Sequence, residues 1–476
     1  MFPSTQDLMR IAPEIVLCAM GMIVMVVEPF AGKGGRRVLD VLAALGAAGA
    51  LAAVWLPAHH IGVAFSSLLK VDEFSVFFHV LTGAVALFVI LASPSYLDRE
   101  GLPHGEFFAL VLFATAGMGV MASAQELITA FIGLEISSIS SYILASYRRD
   151  VARSNEAAMK YFLLGSFATA FFLYGIALIY GATGTTILPR IDAGTTQTML
   201  LALGLALVFV GLAFKVAAVP FQLWTPDVYE GAPTPVTALL SSGPKAAGFA
   251  LLLRIFVTVD HANDLWFWAI WVAAALTMTV GNLTALVQTN VKRMLAYSSV
   301  AHAGYILVAF AARSTIGTAA VLFYLASYAL MKVGAFTALS WLGGAGEHHL
   351  ELNDYAGLAR KRPISAACFS FFLLSLLGMP VTAGFLGKFY ILNAALHSHL
   401  VWLSIILAVN SIIGAFYYLR VVVVMYMREP TREFPAERIP FGVAAVLTLA
   451  AAGTLYLGVL PNYVINFAIQ AAALLR

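Results

Sequence analysis

Five lysines and one glutamate stand inside long apolar runs of this chain, where an ionised side chain is costly. Lys160, Lys215, Lys245, Lys332 and Lys388 all fall within such runs, as does Arg420. Glu135 lies mid-way along LITAFIGLEISSISSYIL, followed by hydroxyls at Ser137, Ser138, Ser140 and Ser141. At the centre of a membrane helix a charge costs about 2.5–3.5 kcal/mol, so five unpaired lysines together cost on the order of 12–18 kcal/mol. Two arrangements relieve that cost: pairing for purely structural reasons, or a hydrated channel. In the second, a carboxylate beside a lysine is a proton-transfer device. The anion favours the charged amine and desolvation favours the neutral one, so separating the two releases a proton.

The local sequence separates the candidates. Lys215 precedes a break at Pro220 in FKVAAVPFQLWTPD, and backbone groups freed inside a membrane must be satisfied by protein or by water. It is therefore the expected partner of Glu135, for which a helix-packing salt bridge is the alternative. Lys245 sits beside Gly243 and Pro244 in SSGPKAAGF, and Lys388 follows Gly378, Pro380 and Gly384 in GMPVTAGFLGKFY. These three lysines are expected to carry protons. Lys160 lies within a turn or two of a helix end and could snorkel instead. Lys332 is deeper and falls between these groups. His302, in SSVAHAGYIL with Ser298, Ser299 and Tyr305 nearby, fits a packed histidine or a relay equally. Arg420 is expected to be a snorkelling anchor near an inner helix end.

The elements that must position these groups follow from composition. Of 476 residues, 61% are hydrophobic and 11% charged, with a mean hydropathy of +0.90. Soluble domains carry roughly 25% charged residues, so a water-facing surface is excluded and a nucleic-acid partner is not expected. Runs of about 20 apolar residues place spanning helices near 11–28, 38–56, 71–93, 106–122, 125–146, 158–181 and 197–222. Further spans are expected near 234–258, 264–288, 295–312, 316–342, 363–396, 400–427 and 437–460. The fold expected is an all-α polytopic membrane protein of about fourteen spans, the first of them retained rather than cleaved as a signal.

Cation bias in loops sets orientation. With the N-terminus outside, fifteen cations fall in inside loops, among them Lys33, Arg148, Arg149, Arg153, Lys292, Arg293, Arg360, Lys361, Arg362 and Arg432. Six fall outside: Arg10, Lys70, Arg190, Arg254, Arg313 and Arg476. Both termini are therefore expected outside. Cys18 and Cys368 lie far apart, whereas an iron–sulfur cluster takes about four thiolates, and the close histidine pairs (His59/His60, His348/His349, His397/His399) lie in polar connections. No metal site is expected.

The chain also echoes itself. SSISSYIL (137–144) resembles SVAHAGYIL (299–307), and FLLGSF (162–167) resembles FYLASY (323–328). The two Pro/Gly-broken spans, near 215 and 388, are five spans apart, and an odd interval inverts the second copy. Inverted repeats with ion sites at broken helices are a transporter architecture. The expected segments are 1–105 (three helices), 106–258 and 259–427 (the two five-helix repeats), and 428–476 (a C-terminal helix).

Two stretches carry a family resemblance. WTPDVYEGAPTPVTALLSSGPKAAGF (224–249) resembles the signature of N subunits of bacterial proton-translocating NADH:quinone oxidoreductase (complex I), and NVKRMLAYSSVAHAGY (290–305) is similar to a signature of the wider antiporter-like family. The spans around Glu135 and Lys388 match in order. The resemblance implies two inverted five-helix repeats and proton translocation across the bacterial inner membrane, with other complex I membrane subunits as partners. It assigns the key glutamate to Glu135, the broken-helix lysine to Lys215, the connecting lysine to Lys245 and the exit-side residue to Lys388. It also implies that FMN, iron–sulfur clusters and the quinone site belong to partner subunits. The related M subunit usually carries a glutamate where this chain has Lys388. A multi-chain cation/proton antiporter without redox activity is the alternative.

Overall fold

A computed structural model describes residues 3–32, 35–191, 197–259, 264–431 and 438–475; Lys33, Arg432 and Arg476 lie outside the described residues. Six long apolar helices come first: α1 (Ala12–Ala31), α2 (Arg36–Ala53), α3 (Glu73–Ala92), α4 (Gly105–Ser123), α5 (Leu127–Ala145) and α6 (Ala152–Thr183). Then follow α7 (Thr198–Val216), α8 (Thr234–Val259), α9 (Asp264–Leu286), α10 (Val291–Ala311), α11 (Thr315–Leu342), α12 (Pro363–Leu377), α13 (Val401–Met427) and α14 (Phe441–Val459). Among the described residues, thirteen helices are long and apolar enough to span; α12 with the half-helix Ala383–His397 makes a fourteenth. The all-α expectation holds apart from a ribbon of two three-residue strands, β1 (Gly62–Ala64) and β2 (Leu69–Val71), paired antiparallel.

Burial sorts the helices into layers. The apolar windows of α8, α10 and α11 are 100%, 94% and 89% buried, against 22–33% for α1, α6, α13 and α14. The central three are surrounded by protein on every side, which is why their polar residues find partners and not lipid.

Both broken spans leave helix in the same way. At the end of α7, Ala217 turns left-handed (φ +62°) and the Ala218 amide returns to the Ala213 carbonyl. Chain then runs through Pro220 to the half-helix Trp224–Gly231. Freed groups are met by side chains, as a membrane interior demands. Trp224 Nε1 donates to the Phe214 carbonyl at 3.0 Å, and the Val219 amide donates to Thr277 at 2.9 Å. At the end of α12, Gly378 (φ +100°) makes the corresponding turn. A Cβ built on Gly384 would lie 1.8 Å from the Ser375 carbonyl oxygen, so only glycine lets the returning half-helix sit this close to α12. Pro244, inside α8, cannot donate to the Leu240 carbonyl, and Tyr229 Oη supplies that bond at 3.2 Å.

Arginine–carboxylate pairs gather at the two ends. One end gathers Arg148 with Glu100, Arg149 with Glu106, Arg153 with Glu230 and Arg293 with Asp227. The other holds Lys70 and Arg254 on Asp72 and Arg10 on the carbonyls of His60 and Val63. Two cations behave unlike the loop and anchor charges expected of them. Lys292 is fully buried in the first turn of α10. Arg420 is half-buried rather than free at the surface. It donates to the Leu286 and Gln288 carbonyls and so closes the C-terminal end of α9, where unsatisfied carbonyls attract cations.

Candidate functional site

A string of buried polar side chains crosses the middle of the bundle. Lys215, in the last turn of α7, is 5% exposed and donates to Ser138 Oγ on α5 at 2.8 Å. Glu135 is one turn earlier on α5, within electrostatic reach of that ammonium. The two do not touch: the lysine holds the serine, and Glu135 Oε1 is buried without a hydrogen-bond partner. Ser138, Lys215 and Tyr142 border a small cavity between α5, α6 and α7.

Next along, Lys245 on α8 donates to Ser299 Oγ at 2.6 Å and to the Ser299 carbonyl at 2.8 Å. Ser299 Oγ also meets Tyr328 Oη at 2.6 Å. Lys332 on α11 donates to the Leu295 carbonyl at 2.8 Å and to Ser298 Oγ at 3.0 Å. The Tyr328 ring lies under both ammonium groups, 5.9 Å from Lys245 Nζ and 5.7 Å from Lys332 Nζ, a cation–π arrangement that steadies desolvated amines. His302 is held on both ring nitrogens, Nδ1 by Tyr324 Oη at 2.6 Å and Nε2 by Tyr418 Oη at 3.0 Å. Beyond it, Lys388 donates to the Leu377 carbonyl at 2.8 Å, with the Tyr305 ring centroid 5.1 Å away. That carbonyl ends α12, so the second broken helix presents its negative terminus to a lysine. At the first break the lysine, Lys215, lies in the last turn of α7 itself and turns to Ser138 instead.

Lys160 stands apart from this string. Its side chain is 44% exposed and ion-paired to Glu156 and Asp227, each at 2.8 Å. Besides the Asp72–Arg254 pair, sequence reasoning missed two more buried pairs. Lys292 is bound to Glu347 at 2.8 Å, and Glu347 also accepts from Thr234 and Tyr96. Glu347 comes from a loop, which sequence reading treats as solvent; its burial beside a hydrophobic helix end gives no local signal. Burial raises its carboxyl, but Lys292 and the Thr234 bonds outweigh this and hold it below the usual carboxylate range. Glu14 and His79 form the other pair at 2.6 Å; a histidine within the apolar run of α3 was the available sign.

These are the spans of a recognisable lineage. A family model described as NADH:quinone oxidoreductase/Mrp antiporter, TM, matches residues 124–414. The chain belongs to the NADH:quinone oxidoreductase/Mrp antiporter family. Within that family, NADH-quinone oxidoreductase subunit N 1 of Solibacter usitatus (strain Ellin6076) is 50% identical over 477 residues, covering 99% of this chain and 98% of the relative. A chain of respiratory complex I from Thermus thermophilus superposes with a TM-score of 0.82 at 37% identity, covering 95% of this chain and 98% of that one. A chain of the Mrp complex from Dietzia sp. DQ12-45-1b superposes with a TM-score of 0.89 at 22% identity, covering 99% and 98%; that likeness is one of fold alone.

Proposed function

We propose that this chain is a proton-translocating N-type membrane subunit of an NADH:quinone oxidoreductase. Protons pass along its buried lysines while electrons move from NADH to quinone on other subunits. One observation carries the reading: Lys215, Lys245, Lys332, His302 and Lys388 are strung through the bundle centre between two oppositely directed broken helices. Glu135 modulates Lys215, Lys245 and Lys332 connect across the middle, His302 relays, and Lys388 faces the exit. Lys160, on Asp227, sits at the inner mouth. The repeat boundaries follow as 106–258 and 259–427, preceded by the segment 1–105 and followed by 428–476. The subunit lies in the cell inner membrane with its Arg148/Arg293 end inside and both termini on the periplasmic side. Flavin, iron–sulfur clusters and quinone are carried by partner subunits.

A subunit of a cation/proton antiporter is the second reading, favoured by fold similarity to the Mrp chain. Identity argues the other way, because 50% over the whole length with an N subunit outweighs a likeness of fold at 22%. Purification in mild detergent decides between them. Flavin-containing, NADH-oxidising chains are expected to accompany this subunit; recovery with antiporter chains only would overturn the assignment.

A further inference from the structure

The hydrogen-bonded string through the centre includes two tyrosines that no charge count or motif singles out. Lys332 Nζ donates to Ser298 Oγ at 3.0 Å, Ser298 Oγ meets Tyr418 Oη, and Tyr418 Oη meets His302 Nε2 at 3.0 Å. On the far side of the ring, His302 Nδ1 meets Tyr324 Oη at 2.6 Å. All five side chains are at most 1% exposed. They come from α10, α11 and α13, so the string exists only when three helices are packed. Lys245 is not on it. Its bonds run to Ser299 and from there to Tyr328, so the direct route to His302 starts at Lys332. Tyr324 packs on Gly387, the neighbour of Lys388: a Cβ there would lie 2.5 Å from the tyrosine ring.

We propose that Tyr418 and Tyr324 are relay residues, passing a proton between Lys332 and the Lys388 break through the two nitrogens of His302. This rests on the translocation reading above. A hydroxyl both donates and accepts, and a neutral imidazole donates from one nitrogen while accepting at the other. The transfer therefore balances at every atom. A proton leaves the Lys332 ammonium for Ser298 Oγ as the serine hydrogen passes to Tyr418 Oη. The Tyr418 hydrogen passes to His302 Nε2, and the hydrogen on Nδ1 passes to Tyr324 Oη, which releases its own to be taken up by a neutral Lys388 amine on the half-helix against which the Tyr324 ring packs. Each hydroxyl gains one proton and loses one. His302 ends neutral with its tautomer exchanged, so the next transfer in the same direction requires the ring and hydroxyls to reset. A purely structural tyrosine would need no such exchange.

The test uses the whole complex reconstituted in proteoliposomes, with proton uptake followed by a pH-sensitive dye during NADH oxidation. Tyr418→Phe is expected to lose the same share of proton uptake as Lys215→Ala while the complex assembles normally. Its infrared difference spectrum in H2O against D2O should show an altered His302 ring band. Ser298→Ala cuts the same string from a neighbouring helix and should lose uptake too, which keeps the test decisive if Tyr418→Phe does not assemble. Ser404→Ala removes a buried hydroxyl of α13 that bonds the carbonyl of Leu400, the residue capping the same helix, and should pump as wild type. Normal uptake in Tyr418→Phe or Ser298→Ala with Lys215→Ala defective would overturn the relay and leave the translocation reading standing. Normal uptake in all three would overturn both.

Discussion

Glu347 and Lys292 show what a single side chain decides here. Neither side chain is solvated: Lys292 rests on Glu347, and Glu347 is held by Lys292, by Thr234 and Tyr96 and, at 3.8 Å, by Arg148; removing one partner of such a pair costs about 3–5 kcal/mol. Glu347→Gln leaves the Lys292 ammonium buried on the Ala232 carbonyl alone and is expected to lower the melting temperature of the purified complex at neutral pH. Because Lys292 and Thr234 depress the Glu347 carboxyl below its ordinary value of 4.5, its stabilisation is fully present above that value. It is lost as pH falls through the lower folded value. Melting scans from pH 7 to pH 4 should therefore show the wild type losing its advantage at the acid end, with a flatter profile for Glu347→Gln. Equal melting of the two proteins at pH 7 would remove the pair from the stability of this region. The residue scale was also where sequence reading divided. Deep lysines are conspicuous because so little else in an apolar run is charged. Tyr418 and Tyr324 are not, since an aromatic residue in a membrane helix is ordinary until its hydroxyl is seen to have a partner.

At the scale of elements, the second broken span depends on close approach as well as on proline. Pro220 and Pro380 advertise the breaks in sequence, but the returning half-helix Ala383–His397 is seated by Gly384 against the Ser375 carbonyl. Gly384→Val should force the half-helices apart, an overpacking change that costs about 1–3 kcal/mol. It should also lengthen the Lys388–Leu377 contact, since the lysine reaches α12 from the half-helix that moves. The expected result is reduced assembly together with reduced proton uptake in the complex that does assemble. Full assembly at wild-type stability would show that the break tolerates a side chain there. Helix positions were legible for a plain physical reason: about 20 apolar residues in a row have few other uses. The β1–β2 ribbon was not, because three-residue strands of mixed character carry no periodicity.

Across the whole molecule, the proposed function makes the separation of Glu135 and Lys215 the quantity that governs transfer. With Lys215 on Ser138 and Glu135 Oε1 unpartnered, the described conformation holds them apart, and a shift of α5 against α7 would bring them together. Lys215→Ala and Glu135→Ala should both lose proton uptake, by tenfold or more if the transfer needs both groups, while assembly persists. Unchanged pumping in the two variants would leave only structural roles for these charges. The sequence by itself determined that the chain spans a membrane about fourteen times, that its charges are rationed, and where the helices break. Each of these is a property of consecutive residues, written in hydropathy and in the backbone limits of proline and glycine. Only the tertiary structure decided which charges meet. Lys160 and Lys332 differ in sequence only by their distance from a helix end, yet one lies in the rim on Asp227 and the other at the centre on Ser298. Partners more than thirty residues apart are chosen by packing of helices, and a hydrogen bond at 3 Å is not encoded in the neighbours of either residue.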